Sequence, residues 1–107
     1  MLNPKVIQSA VDRLVGVAQS PLKVILFGSY ARGDAKDASD LDLLVVEENV
    51  PNIAEEYGRL RGAIGSVGTG VDLLIFPLGE FERRKNWQTS PVFDAVRDGK
   101  VLYERPT

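Results

Sequence analysis

The sequence contains no cysteine and no histidine among its 107 residues. The lack of cysteine excludes disulfides and thiol nucleophiles, and the lack of histidine excludes imidazole acid–base catalysis and the usual zinc sites. Any bound metal must therefore be held by oxygen atoms, which favours Mg²⁺, Mn²⁺ or Ca²⁺. Any general base must be a carboxylate, a lysine or a tyrosine.

Excess charge of one sign and long apolar runs are lacking as well. The 13 basic and 15 acidic residues give a net charge of −2, which provides no broad attraction to nucleic acid or to a membrane surface. The N-terminus has no apolar segment of the signal-peptide kind, and no apolar run has the length of a membrane span. We therefore expect a cytoplasmic protein that binds neither membranes nor nucleic acid directly, built as one globular domain over residues 1–107.

The apolar residues that are present alternate between helical and strand-like spacing. Helical periodicity, with cap residues in front of it, predicts helices over 4–19, 51–64, 79–86 and 91–98. Short apolar runs between turn signals predict strands over 23–27, 41–46, 71–76 and 101–103, the last of them an edge strand. This order predicts an α/β (α+β) domain with a small mixed β-sheet flanked by helices.

Two expectations about burial follow from the same pattern. In the second long helix, one buried stripe is expected, made of Ile53, Tyr57, Leu60 and Ile64. Trp87 follows three cations and is interpreted as a core residue, with a partner-binding surface as the alternative.

Three aspartates stand where predicted strands begin. Asp40 and Asp42 alternate with leucines at the start of the second strand, and Asp72 has the same place in the third. Residues two apart in a strand point to the same face, about 6.6 Å apart, so Asp40 and Asp42 project together. If the second and third strands pair side by side, all three carboxylates converge at one end of the sheet.

Three carboxylates in a partly dry site repel one another and need protons or cations. Only Arg32 and Lys36 are basic residues nearby in the sequence, and Lys36 is assigned to solvent, so a divalent metal is the natural counter-charge. Mg²⁺ usually takes one or two carboxylates and completes its shell with water and phosphates. We therefore expect Asp40, Asp42 and Asp72 to be metal ligands and catalytic residues, with two Mg²⁺ ions.

A phosphate-binding turn is expected beside these carboxylates. Gly28 lets the backbone approach a phosphate closely, Ser29 offers a hydroxyl, and a following helical turn would point amides at the anion. Each feature alone has an ordinary interpretation as a turn or a solvated strand end, and Arg32 either pairs with Asp34 or Asp37 or contacts a ligand. Together, the turn and the carboxylates indicate a nucleoside triphosphate site.

The order of these residues carries a family resemblance. Gly-Ser-Tyr-Ala-Arg-Gly at 28–33 is followed, after five residues, by Ser-Asp-Leu-Asp-Leu at 39–43. This segment closely resembles the motif of the DNA polymerase β-like nucleotidyltransferase superfamily, in particular that of the minimal nucleotidyltransferases. The family motif is Gly-Ser-x-Ala-Arg-Gly, a short spacer and Ser-Asp-x-Asp-Leu. Its third acidic residue lies one strand later, where Val-Asp-Leu at 71–73 fits.

The resemblance implies a role for each matching residue. Asp40 and Asp42 would ligate Mg²⁺ ions that bridge the triphosphate of ATP, and Asp72 would complete the metal site and help to deprotonate an acceptor hydroxyl. Gly28 and Ser29 would hold the β- and γ-phosphates. Arg32 would shape the nucleotide-binding loop, with direct contact as the further option.

The resemblance also implies a partner. Minimal nucleotidyltransferases commonly act as antitoxins that silence a HEPN-domain ribonuclease toxin by transferring AMP to a toxin tyrosine. Larger relatives carry an extra domain for the acceptor, so we expect a partner protein to supply the acceptor site. The resemblance does not specify an oligomeric state, and an oligomer is compatible with it.

Three alternatives compete with this enzyme. The first is a binding module that neutralises its partner by contact alone, although all three carboxylates are present. The second is an antibiotic-modifying nucleotidyltransferase with a partner subunit, which the short chain disfavours. The third is a structural domain whose aspartates only solvate the sheet, which would make the whole motif a coincidence.

Overall fold

The computed structural model describes residues 1–106 and contains helices on both sides of a four-stranded sheet. The helices are α1 (Pro4–Val17), α2 (Gly28–Arg32), α3 (Ile53–Ile64), α4 (Leu78–Arg84) and α5 (Pro91–Asp98). The strands are β1 (Pro21–Phe27), β2 (Leu41–Glu47), β3 (Val71–Pro77) and β4 (Lys100–Glu104). The predicted α/β class is thereby confirmed, and the predicted segments correspond to observed elements with shifts of at most two residues at their ends.

The sheet has the order β3-β2-β1-β4 and is mixed. Strand β1 runs antiparallel to both of its neighbours, whereas β2 and β3 are parallel and are joined through α3. The second and third strands therefore lie side by side, as the expected convergence of the aspartates required. Strand β4 is at the edge, as predicted.

Each face of the sheet buries a separate apolar cluster. On one face α1 and α3 cover the sheet, with the buried side chains Ile7, Ala10, Val11, Leu14, Val24, Leu26, Leu41, Leu43, Val45, Leu60, Ile64, Leu73 and Ile75. On the other face α4 and α5 pack over the sheet, with the buried side chains Ile25, Leu44, Val46, Phe81, Val92 and Ala95. Because β2 is covered on both faces, its residues from Leu43 onwards are all buried, which explains its nearly continuous apolar run.

The long helices begin at side-chain caps that were visible in the sequence. The Oδ1 atom of Asn3 accepts a hydrogen bond from the Lys5 amide at 2.8 Å, and Oδ1 of Asn52 accepts one from the Glu55 amide at 3.1 Å. The Ser90 hydroxyl accepts one from Val92 N at 3.2 Å. These bonds satisfy amides that have no partner within the first helical turn.

The buried stripe predicted for α3 is partly wrong. Leu60 and Ile64 are buried, but Ile53 is 50% and Tyr57 43% exposed, and Glu56 is buried in their place. The Glu56 carboxylate accepts a hydrogen bond from the amide of Gln19, just after α1, which compensates for its burial. A tertiary contact of this kind outweighs the apolar spacing of the sequence.

The expectation that Trp87 belongs to the core is also wrong, since its side chain is 52% exposed. The Arg84 guanidinium lies 5.5 Å from the Trp87 ring centre and 5.5 Å from that of Phe76. The indole therefore packs on a cation at the surface and does not enter the apolar cluster. Among residues 1–106, no helix combines the length and the apolar character needed to cross a membrane.

Candidate active site

The sheet topology brings the end of one strand and the beginnings of two others to the same edge. Phe27, the last residue of β1, is paired with Asp42 near the start of β2, and Asp42 is paired with Asp72 near the start of β3. The pairing of Phe27 with Asp42 is part of the antiparallel β1–β2 ladder, and the pairing of Asp42 with Asp72 is part of the parallel β2–β3 ladder. The turn that begins at Gly28 therefore meets the aspartates at one end of the sheet.

Gly28 fits closely against the Asp42 carboxylate. A Cβ atom on Gly28 would lie 2.1 Å from Oδ2 and 3.0 Å from Cγ of Asp42. These distances are too short for a side chain at this position. Its φ of +71° also lies in the left-handed region, which glycine adopts without steric cost. The backbone entering α2 thus passes directly over the carboxylate, and only glycine permits this approach.

Asp42 is half-buried, and its ionised form is disfavoured. Burial, a hydrogen bond with Asp72, and the negative charges of Asp72 and Asp40 together raise the pKa of Asp42 from 3.8 to about 6, whereas the Arg32 charge lowers it. The effects of both other aspartates on this pKa show that the three carboxyl groups share one electrostatic environment. A cation bound next to the Asp42 carboxylate would stabilise its ionised form.

Asp40 lies just before β2 and is exposed, as is Asp72. A Cβ atom on Gly70 would lie 2.4 Å from Oδ1 of Asp40, so the loop before β3 passes close to this carboxylate. Within residues 1–106, no three acidic side chains converge tightly enough to enclose a metal ion in their present rotamers. A magnesium ion needs only one or two carboxylates, since water and phosphate oxygens complete its shell.

One of the two relationships considered for Arg32 is present in the structure, the ion pair with Asp34, whereas contact with a ligand stays a prediction. Its Nε atom lies 3.4 Å from Oδ2 of Asp34, an exposed ion pair, while its charge lowers the pKa of Asp42. Exposed pairs of this kind contribute little to stability. The guanidinium is therefore available near the carboxylates, and Lys36 is exposed as expected.

A second acidic pair was not foreseen. Glu47 and Glu56 are 0% and 2% exposed, and they lie at the far end of β2, about 16 Å from Asp42 along the strand. Nothing in the sequence marks Glu47, since a glutamate at the end of an apolar strand usually faces solvent. Gly70 does have a signal, its place directly before a strand that starts with an acidic residue.

The chain is similar to known proteins in both sequence and structure. A model of the nucleotidyltransferase domain family matches residues 5–102. A candidate protein adenylyltransferase of Methanocaldococcus jannaschii is 32% identical over 82 residues, which cover 76% of this chain and 77% of that protein. A second candidate protein adenylyltransferase of the same organism is 39% identical over 56 residues, 52% of this chain and 56% of that protein.

The protein adenylyltransferase MntA of Thermococcus cleftensis is 38% identical over 50 residues, which cover 47% of this chain and 50% of that protein. The match thus spans about half the length of MntA and of the second M. jannaschii protein.

Solved structures share the fold over almost the whole chain. A candidate nucleotidyltransferase from Sulfolobus solfataricus superposes with a TM-score of 0.66 at 25% identity, covering 94% of this chain and 79% of that one. A chain of a toxin–antitoxin crystallised with AMP-PNP superposes with a TM-score of 0.62 at 25% identity, covering 97% of this chain and 75% of that one.

Proposed function

Because this chain belongs to the nucleotidyltransferase domain family, we propose that it transfers AMP from ATP to a hydroxyl group of a protein acceptor, with release of pyrophosphate, in a Mg²⁺-dependent reaction. The matched relatives that are named as protein adenylyltransferases support both the nucleotide and the protein acceptor. We further propose that residues 1–107 act as one minimal nucleotidyltransferase domain.

The observation that carries the proposal is the position of the Asp42 carboxylate. It lies between the backbone of Gly28 and the side chain of Asp72, at the edge where three strand ends meet. A turn of backbone amides placed over a pair of acidic side chains provides groups for both parts of a metal–triphosphate ligand. An arrangement used only to solvate the sheet would not need a glycine at this contact.

The donor set fits a hard divalent cation. The side chains at the site offer carboxylate oxygens, the chain has no cysteine or histidine, and the pKa of Asp42 is raised first by burial and then by Asp72 and Asp40. We assign Asp42 and Asp72 as carboxylates that would hold the cation, with Asp40 as the further metal ligand. Bound Mg²⁺ neutralises the charge that develops on phosphate oxygens during phosphoryl transfer.

The residues of the chain then have separate tasks. The amides at the start of α2, with the Ser29 hydroxyl, would bind the β- and γ-phosphates, since α2 has no side-chain cap of its own. Asp72, which is exposed, would accept the proton of the attacking hydroxyl. Arg32 would add positive charge close to the triphosphate. The main contribution of these groups would be to align ATP with the acceptor hydroxyl.

The acceptor that we propose is a tyrosine of a HEPN-domain toxin. This assignment rests on the family resemblance of the motif and on the similarity to a toxin–antitoxin chain that was crystallised with an ATP analogue. In this role the protein would be an antitoxin that inactivates its partner covalently. An oligomer is compatible with this proposal.

The test uses ATP labelled in the α-phosphate, Mg²⁺, this protein and the protein encoded by the neighbouring gene. Transfer of label to the neighbour, with no transfer from ATP labelled in the γ-phosphate, identifies AMP transfer. The Asp42→Asn variant should abolish labelling, whereas Asp12→Asn, at an exposed position of α1, should leave it unchanged. Inhibition of the neighbour without any label would refute catalysis and favour neutralisation by contact.

Binding gives an independent readout. Mg²⁺ and ATP together should raise the melting temperature of this protein, because only the folded state carries the site. Asp42→Asn should lose that rise, and an unchanged rise in this variant would contradict the assignment of the site.

A further inference from the structure

Gly70 lies against the Asp40 carboxylate, and its backbone conformation does not itself require glycine. A Cβ atom at this position would lie 2.4 Å from Oδ1 and 3.1 Å from Cγ of Asp40. Gly70 does not have a positive φ, so its backbone conformation is open to any residue. The space beside its α-carbon is therefore occupied by the Asp40 carboxylate, which an added methyl group would displace.

The loop that carries Gly70 also holds the backbone on both sides of Asp40. The Thr69 hydroxyl donates a hydrogen bond to the Ser39 carbonyl at 2.8 Å. The Leu41 amide donates to the Gly70 carbonyl at 2.9 Å. Residues 39 and 41 are thus both tied to residues 69 and 70, so the backbone on either side of Asp40 is held by this loop.

We propose that Thr69 and Gly70 are positioning residues that set the orientation of the Asp40 carboxylate for metal binding. This inference rests on the proposed function, since it concerns a ligand of the same site. Thr69 fixes the backbone of residue 39, and Gly70 leaves room for the Asp40 carboxylate beside its α-carbon. A methyl group at this position would displace the carboxylate from that place.

The two glycines of the site differ in a way that makes the inference testable. Gly28 combines a positive φ with a contact to Asp42, so any substitution there strains the backbone as well. At Gly70 the added methyl group meets only the far end of an exposed side chain, which can rotate at little cost. Gly70→Ala should therefore move the Asp40 carboxylate and leave the fold intact.

The experiment measures Mn²⁺ binding by electron paramagnetic resonance, with and without a non-hydrolysable ATP analogue, together with thermal unfolding. Gly70→Ala should weaken Mn²⁺ binding by about tenfold, the lower range for loss of a group that orients a metal ligand, with an unchanged melting temperature. The matched control is Gly62→Ala in α3, where no atom of the described residues lies within 4 Å of the added Cβ. It should bind Mn²⁺ like the wild type.

Thr69 is tested by a pair of variants. Thr69→Val removes the hydroxyl while keeping the shape, and it should weaken Mn²⁺ binding, whereas Thr69→Ser keeps the hydroxyl and should restore it. Equal Mn²⁺ affinity of Gly70→Ala and the wild type would overturn the role of Gly70. Equal weakening by Thr69→Val and Thr69→Ser would overturn the role of the hydroxyl.

The outcome for the wild type separates this inference from the proposed function. If the wild type binds Mn²⁺ and Asp40→Asn weakens that binding, the site is established and the variants of residues 69 and 70 decide the positioning role. If the wild type does not bind Mn²⁺ even with the ATP analogue, the proposed function fails and the positioning role fails with it.

Discussion

Replacing Glu47 with glutamine should stabilise the protein at neutral and alkaline pH, although the side chain is completely buried. Its Oε1 atom accepts a hydrogen bond from the Ser20 amide at 2.9 Å, while Oε2 has no hydrogen-bond donor among the described residues. The Glu56 carboxylate is within hydrogen-bonding reach and also accepts bonds from the Gln19 amide and Arg59. Two carboxyl groups can lie this close when Glu47 is protonated and its O–H group donates a hydrogen bond to the Glu56 carboxylate.

The pKa values of the pair show the direction of the effect. Burial, followed by the hydrogen bond with Glu56, raises the pKa of Glu47 from 4.5 to about 7. Burial also acts to raise the pKa of Glu56, but hydrogen bonds from Glu47, Gln19 and Arg59 outweigh it and lower that pKa. The proton therefore belongs to Glu47, and Glu56 is the ionised partner.

The pH windows follow from linkage between proton binding and folding. The pKa of Glu47 is higher in the folded than in the unfolded state, so its contribution to stability is complete below pH 4.5 and is lost as the pH rises to about 7. A rise of this size in pKa corresponds to ~3 kcal/mol for an isolated group. The pKa of Glu56 is lowered in the folded state, so its contribution to stability is present above pH 4.5 and is lost only as the pH falls below that value.

The assay is urea unfolding at pH 5, 6, 7 and 8 in metal-free buffer. Glutamine reproduces the protonated carboxyl group, since its oxygen can accept from the Ser20 amide and its nitrogen can donate to Glu56. Glu47→Gln should match the wild type at pH 5 and exceed its free energy of unfolding by about 1–3 kcal/mol at pH 8. Comparison at each pH removes the contribution of Asp42, whose raised pKa has the same sign.

The control is Glu48→Gln at the neighbouring exposed position, which forms an ion pair with Arg105. It should change the stability by less than about 0.5 kcal/mol at every pH. If Glu47→Gln is less stable than the wild type by the same amount at pH 5 and pH 8, Glu47 does not carry a proton in the folded protein. The reasoning about the buried pair would then be wrong.

Two further predictions concern single positions. Gly28→Ala should lower the free energy of unfolding by about 1–3 kcal/mol and abolish the thermal shift caused by Mg²⁺ and ATP. The control is Gly33→Ala, because Gly33 also has a positive φ of +83° but, in the described residues, has no atom within 4 Å of an added Cβ. It should show the loss of stability without the loss of binding. Asn52→Ala should cost about 1 kcal/mol in urea unfolding because α3 loses its cap, and an equal loss in the exposed control Asn86→Ala would contradict this explanation.

The position of the site explains how a small sheet can assemble it. Each aspartate stands where a strand begins, and beyond Asp42 the same face continues with the buried residues Leu44 and Val46. The carboxylates are consequently fixed to a rigid apolar layer, yet they reach the edge where substrates have access. Parallel pairing of β2 and β3 aligns Asp42 with Asp72 directly.

Local patterns in the sequence were sufficient for the elements and for the candidate site. Helix caps such as Asn3 and Asn52, the apolar period and the turn residues act over a few positions, so the helices and strands could be predicted from neighbours alone. The order of Gly28, Ser29 and the aspartates indicated a nucleotide site for the same reason. Their roles in catalysis remain predictions.

The tertiary structure decided what depends on residues far apart in the chain. The contact of Gly70 with Asp40 spans thirty positions, and the burial of Glu56 depends on Glu47 and on the end of α1. Neither contact has a periodic signature, because each arises from the pairing of strands or from the docking of a helix. The sequence by itself indicated which residues are candidates for the chemistry, whereas only the folded sheet determined which of them lie against each other.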